Sequence, residues 1–116
     1  MNELIQTIFK DFTVDGKKIP VSFMYYNGHG EPFVTYMEWD ADNSLSGDDE
    51  LLGYVVYYDF DVYSKGNYFP IIERVKKLLK ENDFVFQPSR TSADMYEPDT
   101  GYYHKTLCFA HIKQED

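Results

Sequence analysis

The stretch Leu51-Leu-Gly-Tyr-Val-Val-Tyr-Tyr-Asp-Phe-Asp-Val-Tyr-Ser64 decides the fold. Tyr, Val and Phe fill it, and such residues suit a pleated surface, so it predicts one unusually long strand. Alternation puts Val55, Tyr57, Asp59, Asp61 and Tyr63 on one face and Tyr54, Val56, Tyr58, Phe60 and Val62 on the other. The second face is continuously apolar and is expected to meet the core.

Downstream, Asn67 is placed to cap a helix over Tyr68–Lys80, and Pro70 is harmless there because the first turn has no partner for its missing N–H. Tyr68, Ile71, Ile72, Val75, Leu78 and Leu79 make its apolar stripe, Lys76, Lys77 and Lys80 complement its negative end, and Asn82 marks its stop. Phe84–Phe86 reads as a further strand that Pro88 keeps from being central, and Gly101–Lys113 as the last one.

Upstream, Asn2–Phe12 carries Leu4, Ile5, Ile8, Phe9 and Phe12 as one helical stripe. After Asp15-Gly16, Lys18–Tyr26 alternates through Ile19, Val21, Phe23 and Tyr25 and reads as a strand. Asn27-Gly28-His29-Gly30 then predicts a tight turn, pairing this strand as a hairpin with Phe33–Asp40. Asp40–Glu50 (DADNSLSGDDE) holds five carboxylates and no aromatic or β-branched residue, and is expected to be a solvated loop.

The resulting order is α-β-β-β-α-β-β across one domain, residues 1–116. A mostly antiparallel α+β sheet with two helices packed on one face buries both helical stripes. A ferredoxin-like threading is the alternative topology.

Composition narrows the function. The 116 residues hold 11 Lys and Arg against 20 Asp and Glu, and the net charge of −9 opposes any surface that must collect phosphates, so sequence-general nucleic-acid binding is not expected. Apolar residues at 43% and aromatics at 18% are enough to fold a chain of this size. No apolar run approaches the roughly 20 residues a bilayer span needs, and the first residues lack a signal-peptide pattern, so the chain reads as cytosolic. Cys108 stands alone, which leaves no intrachain disulfide and no multi-cysteine zinc pattern.

Candidate chemistry is sparse. Asp59 and Asp61 on one strand face would lie roughly 7 Å apart, near the spacing of an inverting glycosidase, and equally form the solvated stripe of a half-exposed strand. Asp42, Ser44, Ser46 and Gly47 fit the start of a calcium loop, but the twelfth position is Gly53 where a bidentate Glu is required. His104 and Cys108 share a strand face about 13 Å apart, too far to share a metal or a proton, while His111 points the other way. No phosphate loop, dinucleotide fingerprint or nucleophile elbow is present. No cofactor, metal or catalytic residue is therefore expected. Eleven tyrosines, with Tyr57 and Tyr63 on the face the core does not need, suggest a partner surface instead.

The pattern as a whole resembles the small tail-completion or tail-terminator proteins of long-tailed bacteriophages and prophages. It is carried by Phe33-Val-Thr-Tyr-Met-Glu-Trp39 followed by Ala41-Asp-Asn43, and by Gly53-Tyr-Val-Val-Tyr-Tyr-Asp-Phe-Asp-Val-Tyr-Ser-Lys-Gly-Asn67 running into the helix to Lys80. Asn82-Asp-Phe84 and Tyr96-Glu-Pro-Asp-Thr-Gly-Tyr-Tyr-His-Lys-Thr-Leu-Cys-Phe109 continue it, and the likeness is one of order and spacing. The resemblance implies a non-enzymatic α+β subunit that forms a ring, commonly a hexamer, on the end of the tail tube. It implies the major tail protein and head–tail connector proteins as partners, and the virion tail end, after assembly in the host cytoplasm, as its location. On that reading Asp40, Asp42, Asp48, Asp49, Glu50, Tyr57, Asp59, Asp61 and Tyr63 are the candidate interface residues. Two alternatives share the composition: an acidic DNA mimic that inhibits a nucleic-acid enzyme, and a small hydrolase using Asp59 and Asp61.

Overall fold

A computed structural model describes residues 3–27, 31–47 and 50–114. In chain order the elements are α1 (Glu3–Ile8), β1 (Thr13–Val14), β2 (Lys17–Lys18), β3 (Val21–Phe23), β4 (Phe33–Gly47), β5 (Glu50–Ser64), α2 (Phe69–Glu81), β6 (Phe84–Phe86), a 3₁₀ turn (Pro88–Arg90), β7 (Met95–Glu97) and β8 (Tyr102–Gln114). The main sheet runs β3-β4-β5-β8-β6, with β7 also paired to β8. Every pair in it is antiparallel except β3–β4. The protein is an α+β fold with a mostly antiparallel sheet.

The central strand turns its faces as its alternation dictates. Val56, Tyr58, Phe60 and Val62 are buried with Leu107 and Phe109 of β8, and Ile71, Ile72, Val75 and Leu79 of α2 close over them. Ile5 of α1, with Phe9 and Phe12 just beyond it, joins the same cluster, so both helices lie on one face. Phe9 packs edge-on to Phe12, with ring centroids 5.2 Å apart, and tilted against Phe60 at 5.8 Å. Each fully buried aliphatic or aromatic side chain here contributes about 1.5–3 kcal/mol by leaving water.

Helix α2 begins where the Asn67 carboxamide accepts the Phe69 N–H at 3.1 Å. It ends where Asn82 donates its backbone N–H to Leu79 and its side-chain amide to the Leu78 carbonyl. Strands β5 and β6 are parallel to each other with β8 between them, so α2 is their crossover. A ferredoxin-like threading needs a second crossover of this kind, and α1 instead precedes the whole sheet.

Four expectations are corrected. The first helix ends at Ile8, not Phe12; the chain turns through Asp11 at φ 56° yet keeps Phe9 and Phe12 in the core. The strand expected over Lys18–Tyr26 is divided. Lys17–Lys18 folds back on Thr13–Val14 around Asp15 and Gly16, both with positive φ, and Pro20 interrupts the backbone donors before Val21–Phe23 enters the main sheet. The expected hairpin is a parallel pair, Val21 opposite Val34 and Phe23 opposite Tyr36. Met24 at φ 63° turns the chain off the sheet while its N–H bonds the Tyr36 carbonyl, so β4 enters beside the start of β3. The turn expected at Gly28–Gly30 lies outside the described residues.

The fourth correction is the largest. Residues 40–47 continue β4 and Glu50 already begins β5, where a loop was expected. A ladder requires only backbone groups, and β-propensity is a context-dependent preference that does not forbid one. The acidic sequence shows instead as irregular pairing, with register shifts at Glu38/Asp40, Asp42/Leu45 and Leu45/Ser46. The calcium register also falls on these strands rather than on a loop. Fifteen residues of strand span roughly 50 Å, which matches the longest dimension of the molecule, 51 Å. The two strands thus run the length of the molecule, with β8 alongside β5 from Ser64 to Gly53.

Candidate functional site

The sheet face opposite the helices gathers most of the polar chemistry. Strand alternation presents Tyr57, Asp59, Asp61 and Tyr63 there, and the register sets Tyr63 beside His104, Asp61 beside Thr106 and Asp59 beside Cys108. On the other side of β5, Phe33, Thr35 and Met37 of β4 complete three cross-strand rows.

Asp61 and His104 form the centre. His104 Nε2 lies 2.9 Å from Asp61 Oδ1, and the Thr106 hydroxyl donates to the same oxygen. On the opposite edge of the ring, Nδ1 lies 3.4 Å from Glu97 Oε2 of β7. The imidazole stacks on Tyr63 at 4.0 Å between centroids, and Tyr63 stacks in turn on Phe33 at 4.5 Å. Burial pushes the Tyr63 hydroxyl up to about 12, with the Asp61 and Glu97 carboxylates adding to the effect.

Two rows away, burial holds the Asp59 carboxyl above its ordinary range and Asp61 reinforces this, while hydrogen bonds to Trp39 and Cys108 pull the other way. Cys108 is fully buried, and burial followed by the Asp59 charge raises its thiol. A thiol held protonated is a packing residue rather than a nucleophile.

The strip Gln87–Ser92 runs along β8 and supplies a cation to this face. Gln87 donates its N–H to the Cys108 carbonyl, Thr91 Oγ1 accepts the Cys108 N–H at 3.2 Å, and Ser92 exchanges bonds with Thr106. The 3₁₀ turn between these anchors carries Arg90 over Tyr57, 4.2 Å from the ring centroid, and over Trp39 at 5.3 Å. Trp39 and Tyr57 stack on each other. An Arg above two stacked rings is a cation–π arrangement frequent at protein contacts.

Of the candidate interface residues, Tyr57, Asp59, Asp61 and Tyr63 are thus brought onto one face. Asp40 and Asp42 lie on β4 opposite Tyr57 and Val55, Glu50 lies opposite Gly47 at the end of the β4–β5 pairing, and Asp48 and Asp49 are outside the described residues. His104 and Cys108 share this face, and His111 faces the core against Phe84. Sequence reasoning missed Trp39, Arg90, Glu97, His104 and Thr106 as members of the face: the β8 register, with β7 and the strip beside it, joins the last four to β5, and Trp39 enters at the irregularity between Glu38 and Asp40 of β4. The one available signal was the alternation His104, Thr106, Cys108 facing the alternation Asp59, Asp61, Tyr63.

Chemically, the Asp61 and Glu97 carboxylates approach opposite edges of the His104 imidazole, which fixes the ring and keeps them from converging on one ion. Among the described residues no three His, Cys, Asp or Glu side chains cluster to hold a metal. No helix among them is long and apolar enough to cross a membrane. No protein-family model matches the chain, and no curated protein matches it.

Proposed function

We propose that the chain is a non-enzymatic ring subunit that completes the tail of a long-tailed bacteriophage or prophage, ending the tail tube and docking to the head. One observation carries this reading: β4 has β3 beside it only over Val34–Tyr36, so from Met37 to Gly47 its outer edge has no strand partner among the described residues. An edge of this length on a monomer is an aggregation hazard, whereas on a ring subunit it lies against a neighbour. Head-to-tail contacts between unlike surfaces close into rings when the rotation fits, which suits a sheet whose two ends differ.

The charge of −9 fits the same role, because DNA slides past a like-charged wall without adhering. The acidic stretch Asp40–Glu50 then faces a neighbour or the lumen, and Tyr57 and Tyr63 lie on the face available to the major tail protein or to the connector. The subunit works in the host cytoplasm during assembly and ends in the virion. The hydrolase alternative is weakened by the commitment of Asp61 Oδ1 to both His104 and Thr106.

The test is to disrupt the gene in its parent genome, induce the prophage and image particles by negative-stain electron microscopy. Overlong tails, or tails separated from filled heads, are expected. Normal infectious particles would overturn the reading.

A further inference from the structure

On the helix side of the sheet, α2 and β6 enclose a groove of about 550 Å³. Its floor is aromatic: Phe84 and Phe109 are buried beneath it and Phe86 lines it. Val85, between the two β6 rings, is 55% exposed at the groove's edge. Strand β6 ends the main sheet, with β8 its one strand neighbour among the described residues, so no further strand covers the groove from outside.

The rim is basic. Lys76 holds its ammonium 4.5 Å from the Phe86 ring centroid, a cation–π contact that keeps the charge over the apolar floor. Its pairing with Glu73, at 3.9 Å on the exposed side of the helix, is of the kind that solvent screens. Lys80 lines the groove and joins no ion pair among the described residues, and Asp83 is the one acid in the lining. Helix α2 as a whole carries Arg74, Lys76, Lys77 and Lys80 against Glu73 and Glu81, in a chain whose net charge is −9. Positive charge is therefore gathered locally, and it borders an apolar cavity.

We infer that this groove docks a segment of another protein that carries an apolar anchor, a leucine or an aromatic residue, flanked by carboxylates. The anchor fills the space above Phe86 and Phe109, and the carboxylates meet Lys76 and Lys80. An apolar anchor in a pocket with charge complementarity at the rim is how compact protein contacts divide affinity from specificity. The competing occupant is a nucleic-acid backbone, whose phosphates would answer the lysines but leave the aromatic floor unused, and which the acidic remainder of the chain repels. The groove and the β4 edge lie on opposite sides of the β5–β8 pair, so this inference and the ring reading stand or fall separately.

The test titrates the purified full chain into a fluorescein-labelled peptide, Glu-Asp-Leu-Phe-Asp-Glu, and reads anisotropy. Binding is expected, and a peptide with serines in place of the leucine and phenylalanine should bind at least about tenfold more weakly. Lys76→Glu with Lys80→Glu should weaken the acidic peptide at least about tenfold, whereas Arg74→Glu with Lys77→Glu, the same change of charge on the same helix outside the groove lining, should cost less than about threefold. The Lys76→Glu, Lys80→Glu protein should take up Lys-Lys-Leu-Phe-Lys-Lys more tightly than the parent does, which excludes misfolding as the cause of its loss. Addition of the acidic peptide should move the amide resonances of Phe84–Phe86 most.

Absence of binding, equal binding of the serine peptide, equal losses from the two charge reversals, or the largest resonance shifts elsewhere would overturn the inference. Displacement of the peptide by an oligothymidine of equal charge, as effective as displacement by unlabelled peptide, would overturn it in favour of a surface that merely collects anions.

Discussion

Phe60 shows how much a single side chain decides. It is fully buried, stacks near Tyr36 at 5.8 Å and meets Phe109 edge-on at 5.7 Å, while Phe9 brings the first helix onto it. Phe60→Ala should cost about 3–5 kcal/mol, read as a lower urea midpoint, because rigid rings on three sides cannot close the cavity. Asp59 acts in the opposite sense. Its carboxyl is raised by burial and by Asp61, so between its ordinary value and its folded one the folded state binds more protons than the unfolded state. Stability therefore falls as pH rises through that window. Asp59→Asn keeps the shape and should raise the thermal midpoint at neutral pH, with the gain vanishing at a pH below the ordinary carboxylate value.

At the scale of the element, the outer half of the β4–β5 pair was the hardest part of the sequence to read. Strand β5 was legible because Val56, Tyr58, Phe60 and Val62 had to share a face, and α2 because Ile71, Ile72, Val75 and Leu79 recur at helical spacing. Residues 40–47 hold no aromatic or β-branched residue to mark a strand, and the backbone ladder that continues there leaves no mark in residue type. The direction of β3 was hidden for a different reason. Alternation at Ile19, Val21 and Phe23 is the same for parallel and antiparallel partners, and the deciding residue, Met24 at positive φ, is of a type that rarely adopts that conformation. The outer face was half legible: each strand announced its own row, and only the β5–β8 register showed that Asp61 meets His104.

For the whole molecule, shape makes a prediction of its own. A compact chain of this length has a radius of gyration of about 13 Å, whereas the Cα value here is 15.3 Å. The longest dimension of 51 Å matches that elongation, so small-angle scattering of the monomer should return a radius above the compact value.

The solitary Cys108 gives this molecule a built-in clock. Its sulfur lies beneath the strip anchored by Gln87, Thr91 and Ser92, at the middle of the β5–β8 ladder. A thiol-reactive dye can reach it once that strip lifts from β8, a local opening that breaks those few bonds and leaves the core in place. Labelling of the native protein should thus be slow and single-exponential, and its rate should report the opening of this strip without any foreign probe.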